Sequence, residues 1–382
     1  MRKVSIPIAT RGNYAKTKSI MAAIDAHPDL TAETILTGGV IQERYGDYGS
    51  VMAADGRPPD HVVPYLVDGE TPMAMAQSAG QATTALARCF DETKPDIVFV
   101  IADRYEALSF ALAAVCLNIP IAHLEGGEIS GSIDERIRHA ISKLSHIHLA
   151  ANEEAAERLR RMGEPAHTVH VVGTPSFDLV RQMDPDDLGP LRKALEAGTG
   201  AEVDPSEPFL LVSLMPDVMD IGGGSGLVDS TMRAVEALGL PAIWLAPNMD
   251  AGADVISATL REYRERFPDA AIRFLPSLPF EAYARALAHA RCFLGNSSSG
   301  IRESAFIGTP VVNIGTRQAD RRRGPNVTDC PINQSAIHQA ALNQIMHGRY
   351  PSDPLYGDGM TGERVAAILA TADLALDKRM TF

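Results

Sequence analysis

Aromatic residues are scarce, making up only 5% of this 382-residue chain, with one tryptophan. Its cores must therefore be packed from Val, Ile, Leu and Ala. Cysteine is scarcer: Cys89, Cys116, Cys292 and Cys330 stand apart, without CxxC spacing. That excludes a disulfide-stapled scaffold and leads us to expect buried free thiols in a reducing compartment. No apolar run approaches the roughly 18 residues of a membrane span. The opening MRKVSIPIAT is charged but has neither a long apolar segment nor a small-residue cleavage site. We therefore expect no signal peptide, no membrane association and a cytoplasmic location. Cations are in deficit, with 35 Lys and Arg against 48 Asp and Glu, a net charge of -13. A general nucleic-acid binder needs clustered cations, so no nucleic-acid partner is expected.

What remains is an ordinary globular composition, 45% hydrophobic and 22% charged. At about 150 residues per domain this length predicts two or three domains. Short Val/Ile-rich runs at 4–8, 34–37, 97–101, 119–124, 146–150 and 169–172 alternate with helical patterns. The same alternation resumes at 209–214, 242–246, 271–275, 292–294 and 311–314. Near-continuous apolar strands separated by helices predict parallel sheets covered on both faces, an α/β architecture. A Pro-, Gly- and acid-rich stretch breaks the pattern at 184–208, which places a linker near 173–187. The expectation is two Rossmann-like, doubly wound domains, 1–178 and 187–361, with an Ala/Leu-rich helix in 362–382 packing back across them.

Ligands of open parallel sheets bind beyond the carboxyl ends of the strands. Arg11 and Asn13 follow the first strand, Asp103 the 97–101 strand and Glu125 the 119–124 strand. In Gly131–Leu144, the residues Ile133, Ile137, Ile141 and Leu144 mark a buried helical stripe. Asp134 lies in that helix's first turn, with Arg138 and His139 as electrostatic partners. His123, His139, His146 and His148 match no zinc spacing, so no metal is expected. In the second half, Phe293-Leu294-Gly295-Asn296-Ser297-Ser298-Ser299-Gly300-Ile301-Arg302-Glu303 ends an apolar strand in a small, hydroxyl-rich loop. A helix is expected from Ile301. Backbone N–H groups and the hydroxyls of Ser297, Ser298 and Ser299 there suit phosphates, and Glu303 suits a ribose diol. Four arginines in Gly315–Arg323 make a further anion site or a solvated basic turn. The run Gly222-Gly223-Gly224-Ser225-Gly226 lacks a phosphate-loop ending and is expected to be a flexible loop.

These pieces, in this order, resemble the UDP-N-acetylglucosamine 2-epimerases, specifically the hydrolysing branch of sialic and legionaminic acid synthesis. The matching segments are ADRYEAL from Ala102, HLEGGEISGSIDERIRHAISKLSH from His123, VGTPSFD from Val172, PNMDAG from Pro247 and GNSSSGIRESAFIGTPVVNIGTRQADR from Gly295. The resemblance implies a GT-B fold, two Rossmann-like domains facing a central cleft, with the nucleotide held mainly by the second. It implies elimination of UDP across C1–C2 to a 2-acetamidoglucal, then rehydration, releasing UDP and a free manno-configured sugar. It puts Asp103, Glu125 and Asp134 in the acid, base and charge-stabilising roles, with His139 and Arg138 beside them. Ser297, Ser298, Ser299, Gly300 and Glu303 would hold phosphate and ribose, and Arg11 and Arg317 would reach the pyrophosphate. No cofactor is implied, and a homo-oligomer is expected. Two positions depart from the family pattern: Asn13 stands where an acid is common, and Met215 where the family has histidine. A thioether donates no strong hydrogen bond, so Met215 becomes a substrate contact. It admits the same reaction on UDP-N,N'-diacetylbacillosamine, or a catalytically impaired homologue; a GT-B glycosyltransferase would use the same nucleotide site.

Overall fold

Three- to six-residue aliphatic runs become strands because both their faces are buried, and the helices between them cover those faces. The computed structural model describes residues 1–42, 47–69, 71–217, 223–248, 250–379 and 381. Two compact units result: residues 1–128, 133–181 and 356–382 form the first, and 129–132 with 182–355 the second.

The first unit is built on β1 (Arg2–Ile8), β2 (Leu30–Thr37), β3 (His61–Val63), β4 (Ile97–Ile101), β5 (Ile121–Leu124), β6 (Ile147–Ala150) and β7 (Val169–Val171). They pair in the order β3-β2-β1-β4-β5-β6-β7, every pair parallel. The second holds β8 (Thr199–Gly200), β9 (Leu210–Ser213), β10 (Ala242–Leu245), β11 (Ile272–Leu275), β12 (Cys292–Gly295), β13 (Val311–Ile314) and β14 (Val327–Cys330). Its order is β14-β13-β12-β9-β10-β11-β8, parallel except for β8, which runs against β11. Each sheet reverses its winding once, between β1 and β4 and between β9 and β12. Such switch points open a crevice beyond the strand ends.

Eleven of these strands coincide with the apolar runs of the sequence. The other three, β3, β8 and β14, are edge strands with mostly solvent-facing residues. A strand with one neighbour need not be apolar on both faces, so it leaves little hydrophobic signal.

The chain re-enters the first unit at Tyr356. The helix Thr361–Thr371 contributes Val365, Ala366 and Leu369 to the core that holds Ile20 and Ile24. Asp178 fixes where that helix starts: its carboxylate accepts from the Thr361 and Gly362 amides at 2.9 and 2.7 Å. Residues 129–132 belong to the second unit, where the Gly131 amide donates to the Arg317 carbonyl at 3.2 Å. A Cβ on Gly131 would sit 2.3 Å from the Thr316 carbonyl oxygen, so only glycine allows this approach.

Two local expectations are corrected. Gly224, Ser225 and Gly226 form the first turn of a helix, Gly224–Leu238, rather than a flexible loop; Gly222 lies outside the described residues. The buried stripe of Leu227, Val228, Thr231, Met232 and Val235 drives that helix. Cys116 is exposed at the end of the helix Tyr105–Cys116, whose inward positions Ala113 and Ala114 are fully buried. All four cysteines are free.

Candidate active site

In the first unit, two successive strands end in backbone that L-residues avoid. Ala102, after β4, has φ +59°, and Glu125, after β5, has φ +65°. Non-glycine residues held there cost about 1–3 kcal/mol each and cluster at functional sites. Hydrogen bonds hold both turns: the Ala102 amide donates to the Leu124 carbonyl and the Glu125 amide to the Leu149 carbonyl, each at 2.9 Å. His123 adds a third tie. Its Nε2 donates to the Ala102 carbonyl at 2.7 Å, which leaves Nδ1 to accept from the Ser142 hydroxyl at 3.2 Å. Burial lowers the His123 pKa to about 4, so the ring stays neutral and the tautomer is set. A Cβ on Gly126 would sit 2.9 Å from both His123 Nδ1 and Ser142 Oγ, which explains the first glycine after Glu125.

The Glu125 carboxylate is fully buried. Its Oε2 accepts from Lys16 Nζ at 2.5 Å and its Oε1 from the Thr174 hydroxyl at 3.0 Å. Asp103 lies in the turn after β4, and its Oδ2 accepts from Arg138 Nε at 3.0 Å and from Arg138 Nη2. Arg138 is wholly buried; its Nη1 also donates to Glu135 Oε2 and to the Glu128 carbonyl, both at 2.8 Å. Burial opposes the guanidinium charge, but Asp103, Glu128 and Glu135 outweigh it and raise the Arg138 pKa. Asp134 opens the helix Asp134–Leu144 and is half-buried. His139 Nε2 meets Glu135 Oε1 at 2.8 Å. The sequence reading overlooked three partners: Lys16, Thr174 and Glu135. Only Glu135 left a trace there, its spacing of three and four residues to Arg138 and His139.

The other histidines are committed elsewhere. His146 Nδ1 accepts from the Ile121 amide at 3.2 Å, and His148 Nε2 donates to Glu164 at 2.9 Å. No group of three or more His, Cys, Asp or Glu poised for a metal occurs among the described residues. Arg11 and Asn13 lie in the first turn of the helix Arg11–Ala26, not in a loop. Thr10 caps that helix, with the Asn13 side chain returning a bond to the Thr10 amide.

In the second unit the loop after β12 packs at the β9–β12 switch point. A Cβ on Gly295 would stand 2.1 Å from the Ser213 carbonyl, so the strand end needs glycine. Asn296 is buried, and its side chain grips the Met215 backbone, accepting from the amide at 2.6 Å and donating to the carbonyl at 2.8 Å. This clamp fixes the half-buried Met215 beyond the end of β9. The predicted helix from Ile301 is a single 3-10 turn, Ser298–Gly300, and then the five-residue helix Glu303–Ile307. Gly308 at φ +82°, followed by Thr309 and Pro310, ends it early. Glu303 is therefore the first helical residue, and it is buried.

The three serines differ in what they can still do. Ser297 Oγ and Ser299 Oγ share a hydrogen bond at 3.0 Å, and Ser299 also pairs with the Tyr283 hydroxyl. The Ser298 hydroxyl has no partner among the described residues. The arginine-rich turn is largely bound to protein. Arg317 donates to the Asn296 carbonyl at 3.2 Å, Arg321 to the Ile129 carbonyl at 3.4 Å, and Arg323 pairs with Asp329.

A sequence profile of the family described as UDP-N-acetylglucosamine 2-epimerase matches residues 22–370. The chain belongs to that family. It is an NDP-sugar 2-epimerase by family, built on a GT-B-like α/β fold. It is 33% identical to the UDP-N,N'-diacetylbacillosamine 2-epimerase (hydrolyzing) of Legionella pneumophila, over 98% of this chain and 97% of that one. It is 31% identical to a UDP-N-acetylglucosamine 2-epimerase of Neisseria meningitidis serogroup B, over 97% and 95%. Among solved structures, the S. aureus MnaA–UDP co-structure matches at a TM-score of 0.77 and 18% identity, covering 100% of both chains. The Methanocaldococcus jannaschii UDP-GlcNAc 2-epimerase in complex with UDP-GlcNAc and UDP also gives 0.77 at 18% identity, over 96% of this chain and 99% of that one. At those identities the structures establish the fold of this epimerase. No helix among its described residues is long and apolar enough to cross a membrane.

Proposed function

We propose that the protein is a hydrolysing 2-epimerase of a UDP-linked 2-acetamido sugar, with UDP-N-acetylglucosamine as substrate, releasing UDP and the free manno-configured sugar. The observation that carries this reading is the pair of carboxylates at adjacent strand ends, Asp103 on Arg138 and Glu125 on Lys16. Both follow or occupy strained turns, as groups positioned for chemistry do. Elimination removes H2 as a proton while the C1–O bond to UDP breaks, leaving a C1–C2 double bond. Water then adds to C1 and a proton returns to C2 on the opposite face. Each step needs an acid or a base near C2 and a negative charge near the electron-poor C1. Asp103, Glu125 and Asp134 supply these, with His139 beside them on Glu135. Ser298, Glu303 and the amides of the loop through Gly300 take the phosphate and ribose, assisted by Arg11 and Arg317. The Legionella relative's name supports the release of a free sugar.

The same relative favours a second substrate, UDP-N,N'-diacetylbacillosamine. That sugar is 6-deoxy, and Met215, clamped beyond β9, offers an apolar contact for its methyl group.

The test is turnover of each nucleotide sugar in D2O, followed by proton NMR. Free UDP and a free sugar carrying one deuterium at C2 are expected. A product still linked to UDP would refute hydrolysis, and a fully protonated C2 would refute the elimination.

A further inference from the structure

The segment after the helix Thr361–Thr371 takes no part in the chemistry above, yet it is tied down along its length. Arg2 Nη1 holds its root, donating to the Leu369 and Ala372 carbonyls, both at 2.8 Å. Thr381 holds its far end: the amide donates to the Gly163 carbonyl at 3.0 Å, and the hydroxyl donates to the same oxygen at 3.2 Å. Between them Lys378 reaches inward, its side chain 20% exposed. Its ammonium pairs with Oε2 of the buried Glu164 at 2.7 Å. It also donates to the Ser142 carbonyl at 3.1 Å and to the Ser145 carbonyl.

Those two carbonyls close the helix Asp134–Leu144, with Ser145 as its C-cap. The last carbonyls of a helix lack partners within it, and the helix dipole favours a cation there. Lys143, in the last turn of the same helix, donates to Glu164 Oε1 at 2.6 Å. Glu164 therefore anchors this helix end twice, directly through Lys143 and again through Lys378.

The same helix holds the turn after β4. Arg138 and Ser142 are four residues apart and share one helix face. Arg138 Nε donates to Asp103 Oδ2 at 3.0 Å. The Ser142 hydroxyl donates to His123 Nδ1 at 3.2 Å, and His123 Nε2 donates to the Ala102 carbonyl at 2.7 Å. Ala102, at φ +59°, immediately precedes Asp103. Hydrogen bonds thus run without a break from Lys378 through Ser142 and His123 to the strained residue beside Asp103.

We propose that Lys378 is a positioning residue for Asp103, acting through the helix Asp134–Leu144; the assignment rests on the role proposed for Asp103 above. By fixing the end of that helix, Lys378 sets where Arg138 and Ser142 meet the turn after β4.

Lys378→Met removes the ammonium and keeps the bulk. Glu164 retains Lys143 and His148, so the fold survives. Lys378→Arg restores the charge and its donors. In Lys378→Met, kcat for release of free UDP is expected to fall about ten- to a hundredfold, the scale of a misplaced catalytic group, and Lys378→Arg should recover most of it. KM should change less than about twofold, the pattern of an interaction that matters only in the transition state. UDP affinity should hold equally, since Ser298 and Glu303 lie in the second unit. Ser142→Ala should lower kcat as well, and Lys378→Met added to it should cost less than it does alone, because both break one route. A tail that only stabilises the fold would leave kcat of the folded protein unchanged, or would give losses that multiply; either result overturns the proposal.

A second readout needs no turnover. In protein labelled with 15N-histidine, Ser142→Ala marks where the His123 Nδ1 signal lies once its bond is lost. Lys378→Met should move that signal toward the same position, and an unmoved signal would overturn the coupling. A shifted signal in a protein that releases no free UDP would uphold the coupling and refute the function proposed above.

Discussion

Replacing Arg138 by methionine tests the arrangement around Asp103 most directly. The guanidinium is wholly buried and bonded to Asp103, Glu135 and the Glu128 carbonyl. Methionine fills similar space but donates nothing. Removing one member of a buried ion pair costs about 3–5 kcal/mol, because the partner charge is left behind. Here the partners are not sealed: the Asp103 side chain is 16% exposed and the Glu135 side chain 27%. Water can reach both, which points to the lower end, about 3 kcal/mol. A protein with about 5–15 kcal/mol in hand survives that loss at 25 °C. Two units need not unfold together, so the assay is hydrogen exchange of the β4 and β5 amides, which reads the first unit alone. Loss of the neighbouring cation also raises the Asp103 pKa, so the acid limb of kcat/KM should move to higher pH. A stability change under about 1 kcal/mol together with an unmoved acid limb would refute the reasoning.

Ser298→Ala should weaken UDP binding by about 1–3 kcal/mol without changing stability, since that hydroxyl bonds nothing among the described residues. Glu303→Ala should weaken UDP on the same scale; calorimetry that finds both affinities intact would return the loop to a purely structural turn. A third prediction concerns Glu164, where burial favours the neutral acid but hydrogen bonds from His148, Lys143 and Lys378 prevail and hold its pKa at about 2. Burial keeps His148 neutral, so the two lysines are the cations of this cluster. A depressed folded pKa means stability that is complete above the unfolded value near 4.5 and is lost as pH falls from there toward 2. Glu164→Gln should therefore cost about 3 kcal/mol at neutral pH, and its curve of stability against pH should merge with the parent's near pH 2. Parallel curves would show that the cluster contributes no acid dependence.

The sequence by itself determined the strands that are buried on both faces, because burial on two faces demands an uninterrupted aliphatic run. It likewise determined that Asp103, Glu125 and the Asn296–Ser299 loop follow such strands, since a residue after a strand lies at its carboxyl end wherever the strand sits. Hydrophobic pattern is silent where burial is partial. Edge strands β3, β8 and β14 went unread for that reason, and so did the short helix at Glu303, whose length was set by Gly308 rather than by periodicity. Pairings across long stretches of chain belonged to the tertiary structure alone. Lys16 reaches Glu125 across 109 residues, Arg138 reaches Asp103 across 35, and Asn296 grips the Met215 backbone across 81. Asp178 caps a helix 183 residues away. No local rule foresees such partners, because strand order, not sequence distance, decides which strand ends become neighbours. The sequence names the groups that carry charge; the folding of two sheets decides which charges meet, which hydroxyls are consumed and which, like that of Ser298, are left without a partner among the described residues.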